Sequence, residues 1–452
     1  MPEKSRLHEC VAAVLRDPDS DAPRRALAAL YAESSDARAD FIDVQLQLAA
    51  LPVWNSKVEA LRQTEKRFLE KHQAQWALEI GCVDLRPSFR RGLADCVEGT
   101  AKALCVELNE VAARAPIETI QLEVDEDETG PDPDLQRLAE LDSLENIRAL
   151  ELFECDLAPD SLSRLLAQPA WNRLELLRLG PGTCEPRFIE ALASTELPPA
   201  LVDFRCDEHI GGIGDDGVRA LIEAPWFSRL RRLGLVGQSL SDMSLFFLAE
   251  LPKEIKLEHL NLASCGYAEH DLSDEGLRGL ADSPWFPNLR VLSVHGCAVG
   301  GAVPRAFARA KNLHAANLVR TGLDADQLRF ISAMEVWPRI KELSLGGNPL
   351  GDDGAEYLAQ CSSLPAVLDL KSCQIGATGL AHLFDAPEVS ALDLRGNSIE
   401  TEAWREALAA ERLPKSYALA TDAHDWPDDL VEAIEAHYPR TDLAGVKRAS
   451  AR

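Results

Sequence analysis

The sequence predicts an α/β solenoid, a horseshoe of parallel strands with helices outside, and two recurring phrases predict it. The first is strand-like. Aligned on leucines, LEHLNLASC from Leu257, LRVLSVHGC from Leu289, IKELSLGGN from Ile340 and VSALDLRGN from Val389 share one pattern. Apolar residues stand at the first, fourth and sixth positions and Cys or Asn at the ninth, an alternation that buries one side of a strand. Weaker copies begin at Ile117, Ile147, Leu174, Leu201, Leu230, Leu313 and near Pro365. Together they make about eleven units at a spacing of about 24 to 32 residues, which is solenoid grammar. The second phrase is helical and follows the first: LAPDSLSRL from Leu157, IGDDGVRAL from Ile213, LSDEGLRGL from Leu272, LGDDGAEYL from Leu350 and IGATGLAHL from Ile375. Ser, Gly or Asp near each start can cap free amides, early carboxylates suit the positive helix end, and apolar residues recur three or four apart.

The chain around these repeats reads in order. From Leu7 to about Gly81 the pattern is helical, as LHECVAAVL, PRRALAALYAE, FIDVQLQLAAL and VEALRQTEKRFLEKHQAQWALEI, with DPDSDAP from Asp17 as a break. Residues 1–115 are expected to form a helical domain and cap, 116–413 the solenoid, and 414–452 a C-terminal cap and tail. Within the solenoid, APWFSRL from Ala224, SPWFPNL from Ser283 and QPAWNRL from Gln168 end their helices with proline and supply an aromatic residue to the core. After Leu413 the leucine phase fails, and DDLVEAIEAHY from Asp428 predicts one amphipathic helix. The basic ending GVKRASAR is expected to be disordered.

The two linked phrases resemble the leucine-rich-repeat family, and the long units with GDDG-type helices are similar to its ribonuclease-inhibitor subclass. The resemblance runs from about Ile117 to Leu413 and implies a protein-binding surface on the concave side. The strings LRDPDSDAPR, DARADFIDVQ, FLEKHQAQW and FRRG resemble a bacterial repeat-companion domain, which precedes repeats in multi-repeat bacterial proteins. That family carries Ala-Asp-Trp in its second helix, where this chain has Ala28, Ala29 and Leu30.

Composition bounds the function. The chain has 452 residues, 46% of them hydrophobic, and a formal net charge of -27. Such a charge repels nucleic acid and anionic membrane and favours a basic protein partner. No apolar run is long enough to cross a bilayer, and CVAAVL near the N-terminus is too short for a secretory segment. The 11 cysteines therefore read as reduced thiols of a cytoplasmic protein.

The candidate chemistry dissolves into architecture. Cys155, Cys265, Cys297 and Cys373 share the ninth position with Asn348 and Asn397, so one buried, turn-satisfying role explains all six. Cys184 falls two places later and is core. Cys206 and His209 lack a second ligand pair at zinc spacing. GGIGDDG from Gly211 is followed by no Lys-Ser or Lys-Thr and reads as a turn and helix cap. Asp215–Asp216 and Asp352–Asp353 complement helix dipoles. No catalytic set, metal site or cofactor is expected.

What remains is a surface. Strand alternation points Glu151, Phe153, Arg178, Arg205 and Arg232 onto the concave side, followed by His259, Asn261, Val291, Ser293, His295 and Asn317. The first group is charged and the second mildly apolar and hydrogen-bonding. The acidic run EVDEDETGPDPD, from Glu123 to Asp134, is a competing docking element. The expected function is a non-enzymatic protein-interaction scaffold for an unidentified partner. Two alternatives stand beside it: an inhibitor of a basic enzyme, and an effector or enzyme with a site assembled across repeats.

Overall fold

A computed structural model of the chain describes residues 3–51, 57–123, 133–153, 158–207, 211–264, 272–424 and 426–444. It divides into two compact units: one of residues 1–53, 57–207 and 223–227, the other of residues 54–56, 208–222 and 228–452. None of the helices among the described residues is long and apolar enough to cross a membrane.

The first unit opens with helices α1 (Glu3–Arg16), α2 (Asp21–Glu33), α3 (Arg38–Ala50) and α4 (Lys57–Ile80). The predicted break falls between α1 and α2, where the Ser20 hydroxyl accepts from Ala22 N at 3.4 Å and caps α2. Val14, Leu27, Tyr31, Ile42 and Leu46 form the core of these helices. The helical grammar then stops. Strands β1 (Arg86–Arg90) and β2 (Leu93–Thr100) form an antiparallel hairpin, followed by helix α5 (Ala101–Ala112). From β2 onward the strands are parallel and in sequence order: β3 (Thr119–Glu123), β4 (Ala149–Leu152), β5 (Leu176–Leu179) and β6 (Asp203–Asp207). Residues 1–115 thus hold sheet as well as helix, and the parallel sheet begins one strand before the Ile117 repeat. The hairpin turns because Arg91 (φ 53°) and Gly92 (φ 88°) both occupy the left-handed region, the geometry of a tight two-residue turn.

Three contacts fasten the hairpin to the helices. Gln45 donates from Nε2 to Phe89 O at 2.9 Å and accepts from Gly92 N at 2.5 Å. The Phe41 ring lies 4.9 Å from Trp76 and 5.9 Å from Phe89, centroid to centroid. Arg24, buried, donates to Arg91 O at 3.1 Å.

The second unit continues the repeat with β7 (Arg232–Val236), β8 (His259–Asn261), β9 (Val291–Ser293), β10 (Ala315–Asn317), β11 (Glu342–Ser344), β12 (Val367–Asp369) and β13 (Val389–Asp393). From β7 to β13 each strand pairs in parallel with the next. Short helices such as Asp274–Ala281 and Gly351–Ala359 connect them. The strand series does not end where the leucine phase fails: β14 (Ser416–Asp422) and β15 (Arg440–Ala444) add two parallel strands around the predicted helix, Asp428–His437. Tyr438 closes this end by donating to Pro414 O at 2.9 Å.

After each of β7 to β13 the chain turns through a left-handed residue, and glycine alternates with a residue that carries a side chain: Gly237, Ser264, Gly296, Arg320, Gly347, Ser372, Gly396. Stacking explains the glycines of the last two pairs. A Cβ on Gly396 would lie 2.3 Å from Ser372 Oγ, and one on Gly347 would lie 2.7 Å from Arg320 Cγ. At Gly347 and Gly396 a side chain on the preceding coil fills the space a Cβ would need; at Gly296 the nearest atom, Ser264 Oγ, would lie 3.4 Å away, and the positive φ of 75° alone favours glycine. Gly396→Ala combines this overlap with a positive φ of 71° and is expected to cost about 1–3 kcal/mol. Adding Ser372→Gly removes the overlap and leaves only the backbone strain, so urea denaturation should show partial recovery. Equal stability of the single and double variants would disprove the stacking account.

Candidate functional site: the ladder and the open face of the sheet

The ninth-position residues form a buried ladder. Asn348 is fully buried; its Nδ2 donates to Leu318 O and Leu345 O, each at 2.7 Å, and its Oδ1 accepts from Thr321 N at 3.0 Å and Leu323 N at 3.1 Å. One side chain thereby satisfies backbone groups of two successive coils. Asn397 repeats the arrangement against Leu370 O, Leu394 O, Cys373 N and Ile375 N. The cysteines keep part of it. Cys297 Sγ donates to Leu262 O at 3.1 Å and Cys373 Sγ to Leu345 O at 3.3 Å.

The same register holds two further rungs that are neither Cys nor Asn. Gln238 accepts from Ile213 N at 3.0 Å and donates to Val236 O at 2.7 Å, and the Thr321 hydroxyl donates to Leu318 O at 3.0 Å. Cys184 is core, donating to Leu179 O at 3.2 Å. Cys155, Cys265 and His209 lie outside the described residues, as do residues 124–132 of the acidic run and the loop 265–271. Among the described residues no group of three or more His, Cys, Asp or Glu side chains could hold a metal ion.

Burial pushes the Cys373 thiol up to about 12, which keeps it protonated and unreactive at neutral pH. In native protein Cys297 and Cys373 should therefore resist a thiol reagent until the chain unfolds. Rapid stoichiometric labelling of either, with the fold retained, would remove the structural assignment for that residue.

The aspartates at the helix starts also join coils. Asp215 accepts from Ser241 N at 3.0 Å, Asp242 from Ser273 N at 2.8 Å, and Asp352 from Gly376 N at 2.7 Å. Their neighbours Asp216 and Asp353 face solvent. The first carboxylate of each pair is thus an inter-coil bond as well as a dipole partner. The aromatic blocks are core: Trp226 donates to Leu192 O at 3.0 Å and Trp285 to Leu248 O at 2.8 Å.

On the open face of the first unit, Glu151, Phe153, Arg178 and Arg205 come together. Arg178 bonds Asp207 through Nε, lies 3.7 Å from Glu151, and places its guanidinium 4.9 Å from the centre of the Phe153 ring. Gln121 donates to Glu151 at 3.1 Å. Arg205 makes two bonds to Asp203, at 2.9 and 2.7 Å, and these hydrogen bonds raise its guanidinium further above the ordinary value. The charges on this face are largely matched within it, which fixes side-chain positions and leaves little net field.

On the second unit the register sets Arg232 beside His259 and His259 beside Val291; Asn261, Ser293 and Asn317 form the next row. Leu260, Leu262, Leu292 and Val294 between them are buried. Asn261 Oδ1 accepts from Ala263 N at 3.0 Å and Asn317 Oδ1 from Val319 N at 3.2 Å. The two carboxamide oxygens are committed to the turn, so each amide faces its surroundings through its Nδ2 donor. His295 is half-buried one row further on. Beyond Asn317 the same row becomes Ser344, Asp369 and Asp393, where burial raises the Asp369 carboxyl above the ordinary carboxylate range.

A family model described as "Leucine Rich repeat" matches residues 340–359, the coil of β11 and the helix after it. The chain is 28% identical over 263 residues to the ribonuclease inhibitor of Sus scrofa, covering 54% of this chain and 49% of that protein. It thus spans about half the length of that curated relative. Among solved structures, a chain of the yeast Rad7–Elc1 complex is similar at 17% identity and TM-score 0.49, over 87% of this chain and 94% of its own. A chain of the TLR13–ssRNA13 complex is similar at 20% identity and TM-score 0.40, over 68% of this chain and 39% of its own. Strand, left-handed turn, buried ladder residue and outer helix, recurring coil after coil, give this chain the fold of an α/β leucine-rich-repeat solenoid, and the family model matches one of its coils.

Proposed function

We propose that the chain is a non-enzymatic protein-interaction scaffold that receives its partner on the open sheet face of the second unit. The observation that carries this reading is the half-buried stripe of His259, Asn261, Val291, Ser293, His295 and Asn317, set in strand register above a buried leucine row. A rigid backbone beneath the stripe lowers the entropy lost on association. Its donors and short apolar groups favour a contact governed by shape and hydrogen bonds. Cys297 and Cys373 serve the ladder and the helix-start aspartates Asp215, Asp242 and Asp352 serve coil junctions, which supports binding over catalysis. Similarity to a ribonuclease inhibitor favours a second, narrower reading, stoichiometric inhibition of an enzyme.

The test is affinity capture from native lysate at moderate salt, followed by binding of the identified partner to two variants of the full chain. Ser293→Arg with Asn317→Arg blocks the face; neutralising the carboxylates of residues 123–134 removes the acidic run. Loss of binding in the first variant alone supports the stripe. Loss in the second alone refutes it and makes the acidic run the docking element.

A further inference from the structure

We infer that the partner of this face carries an acidic segment, which lies across the strand-start edge of β9, β10 and β11; the inference rests on the scaffold reading above. The residue just before each strand's open-face row occupies a repeated position, defined by its carbonyl accepting from the next coil. Arg231 O accepts from Glu258 N at 2.8 Å, Glu258 O from Arg290 N at 2.7 Å, Arg290 O from His314 N at 2.8 Å, and His314 O from Lys341 N at 2.7 Å. Five successive coils therefore stack Arg, Glu, Arg, His and Lys along one edge.

The charge along this edge is uneven. Glu258 is held between Arg231, at 2.6 Å, and Arg290, at 3.6 Å. From Arg290 onward basic residue types accumulate: His314 and Lys341 follow in the row, and Lys311 and Arg339 flank it, all five exposed. Arg339 donates to the backbone carbonyl Lys311 O at 2.7 Å, which holds its guanidinium against the adjacent coil beside Lys311. Among the described residues Lys311, Arg339 and Lys341 enter no ion pair. Glu342 stands one row further onto the face, and Val291 and Ala315 continue that row beside the cations.

Placed on a chain of net charge -27, this cluster is the opposite of what the composition favours. At physiological ionic strength charges more than about 8 Å apart are largely screened, so a partner segment at the edge meets the local cations and not the distant carboxylates. Three strands span only about 10 Å at the usual strand spacing of about 4.8 Å. That length suits a few carboxylates of an extended peptide. Among the described residues the neighbouring row on β9 to β11 offers Val291, Ala315 and Glu342, none of them an aromatic platform for stacked bases, which favours polypeptide over single-stranded nucleic acid. Acidic side chains on the edge would leave the peptide's remaining groups over the Ser293 and Asn317 donors.

The test uses the intact chain and a fluorescein-labelled deca-glutamate peptide, with deca-lysine as the matched control, read by anisotropy. The glutamate peptide should bind at low salt, weaken steeply as salt rises, and bind at least about tenfold more weakly to the triple variant Lys311→Glu, Arg339→Glu, Lys341→Glu. These side chains are exposed, so the triple variant should unfold at an unchanged urea midpoint. Equal binding of the glutamate peptide by parent and triple variant overturns the inference, as does preference for deca-lysine. Tighter binding of a single-stranded oligouridine, lost in the same variant, also overturns it by assigning the edge to nucleic acid. The face-blocking pair Ser293→Arg and Asn317→Arg separates the two claims. If the captured partner is lost from that pair while the peptide assay is negative, the scaffold reading stands and the acidic segment falls. If the peptide assay is positive while the captured partner still binds the pair, the edge stands and the open face falls.

Discussion

Replacing Asn348 by alanine is expected to destabilise the second unit by about 3–4 kcal/mol, the upper part of the range for a single substitution. The side chain is fully buried and contributes four backbone hydrogen bonds, two to carbonyls and two from amides, divided between adjacent coils. Alanine leaves those groups without their partner and with no route to bulk water, and an unsatisfied buried group costs about 1–3 kcal/mol. The sum is reduced because coils can relax and a water molecule can enter. Asn348→Cys should cost about half as much, since Cys373 shows that a thiol at this position still donates to the preceding coil's carbonyl. Asn397→Ala should cost less than Asn348→Ala, because Asn397 is only half-buried and solvent can replace part of its bonding. Urea denaturation of the three variants gives the order directly. An Asn348→Ala chain within about 0.5 kcal/mol of the parent would show that the ladder is not a source of stability.

The same ladder shows what a sequence can reveal and where it stops. Leucines at fixed offsets reported the parallel strands because alternation ties burial to position, and every in-phase copy adds to the evidence. Gln238 and Thr321 were harder to see: Gln238 carries the asparagine's carboxamide on a longer stem and Thr321 only a hydroxyl, so only the register count identifies them. The β1–β2 hairpin was concealed because Arg91 and Gly92 read as part of a family-like string, FRRG, and not as a left-handed turn. At the other end, Ala418, Leu419 and Thr421 bury β14 without the leucine triplet that marks the other coils. For the candidate site, alternation placed the side chains on the open face, but their partners come from other coils. Arg178 meets Asp207 at a separation of 29 residues, and Glu258 lies between two arginines of neighbouring coils. Such pairings depend on register across coils of unequal length. The basic edge at Arg290, Lys311, His314, Arg339 and Lys341 was diluted by the acidic total for the same reason.

The second large effect concerns the N-terminal module. Deleting Met1–Glu110 should give a chain that aggregates or unfolds without cooperativity, because a repeat stack needs a terminal unit with a polar outer side. The deletion removes α1 to α4, the hairpin and most of α5, and so takes away β2, the strand that pairs with β3 through Thr119–Glu123. It exposes an unpaired parallel edge and the helix-facing side chains Ile120 and Leu122, both fully buried in the intact chain. An edge of that kind is a template for self-association. A shorter deletion, Met1–Ile80, tests which part does the capping. It keeps the hairpin and its pairing to β3 but strips the Phe41 and Trp76 rings from Phe89 and removes Gln45 from the hairpin turn. Loss of aromatic cover and of two hydrogen bonds, one buried and one partly buried, is expected to cost about 2–4 kcal/mol, so this chain should remain soluble while melting earlier. If both truncations are as soluble and as stable as the parent, the helices are an independent domain and the sheet terminates itself. If the shorter one fails as completely as the longer, the hairpin has no capping capacity without the helices that hold its turn.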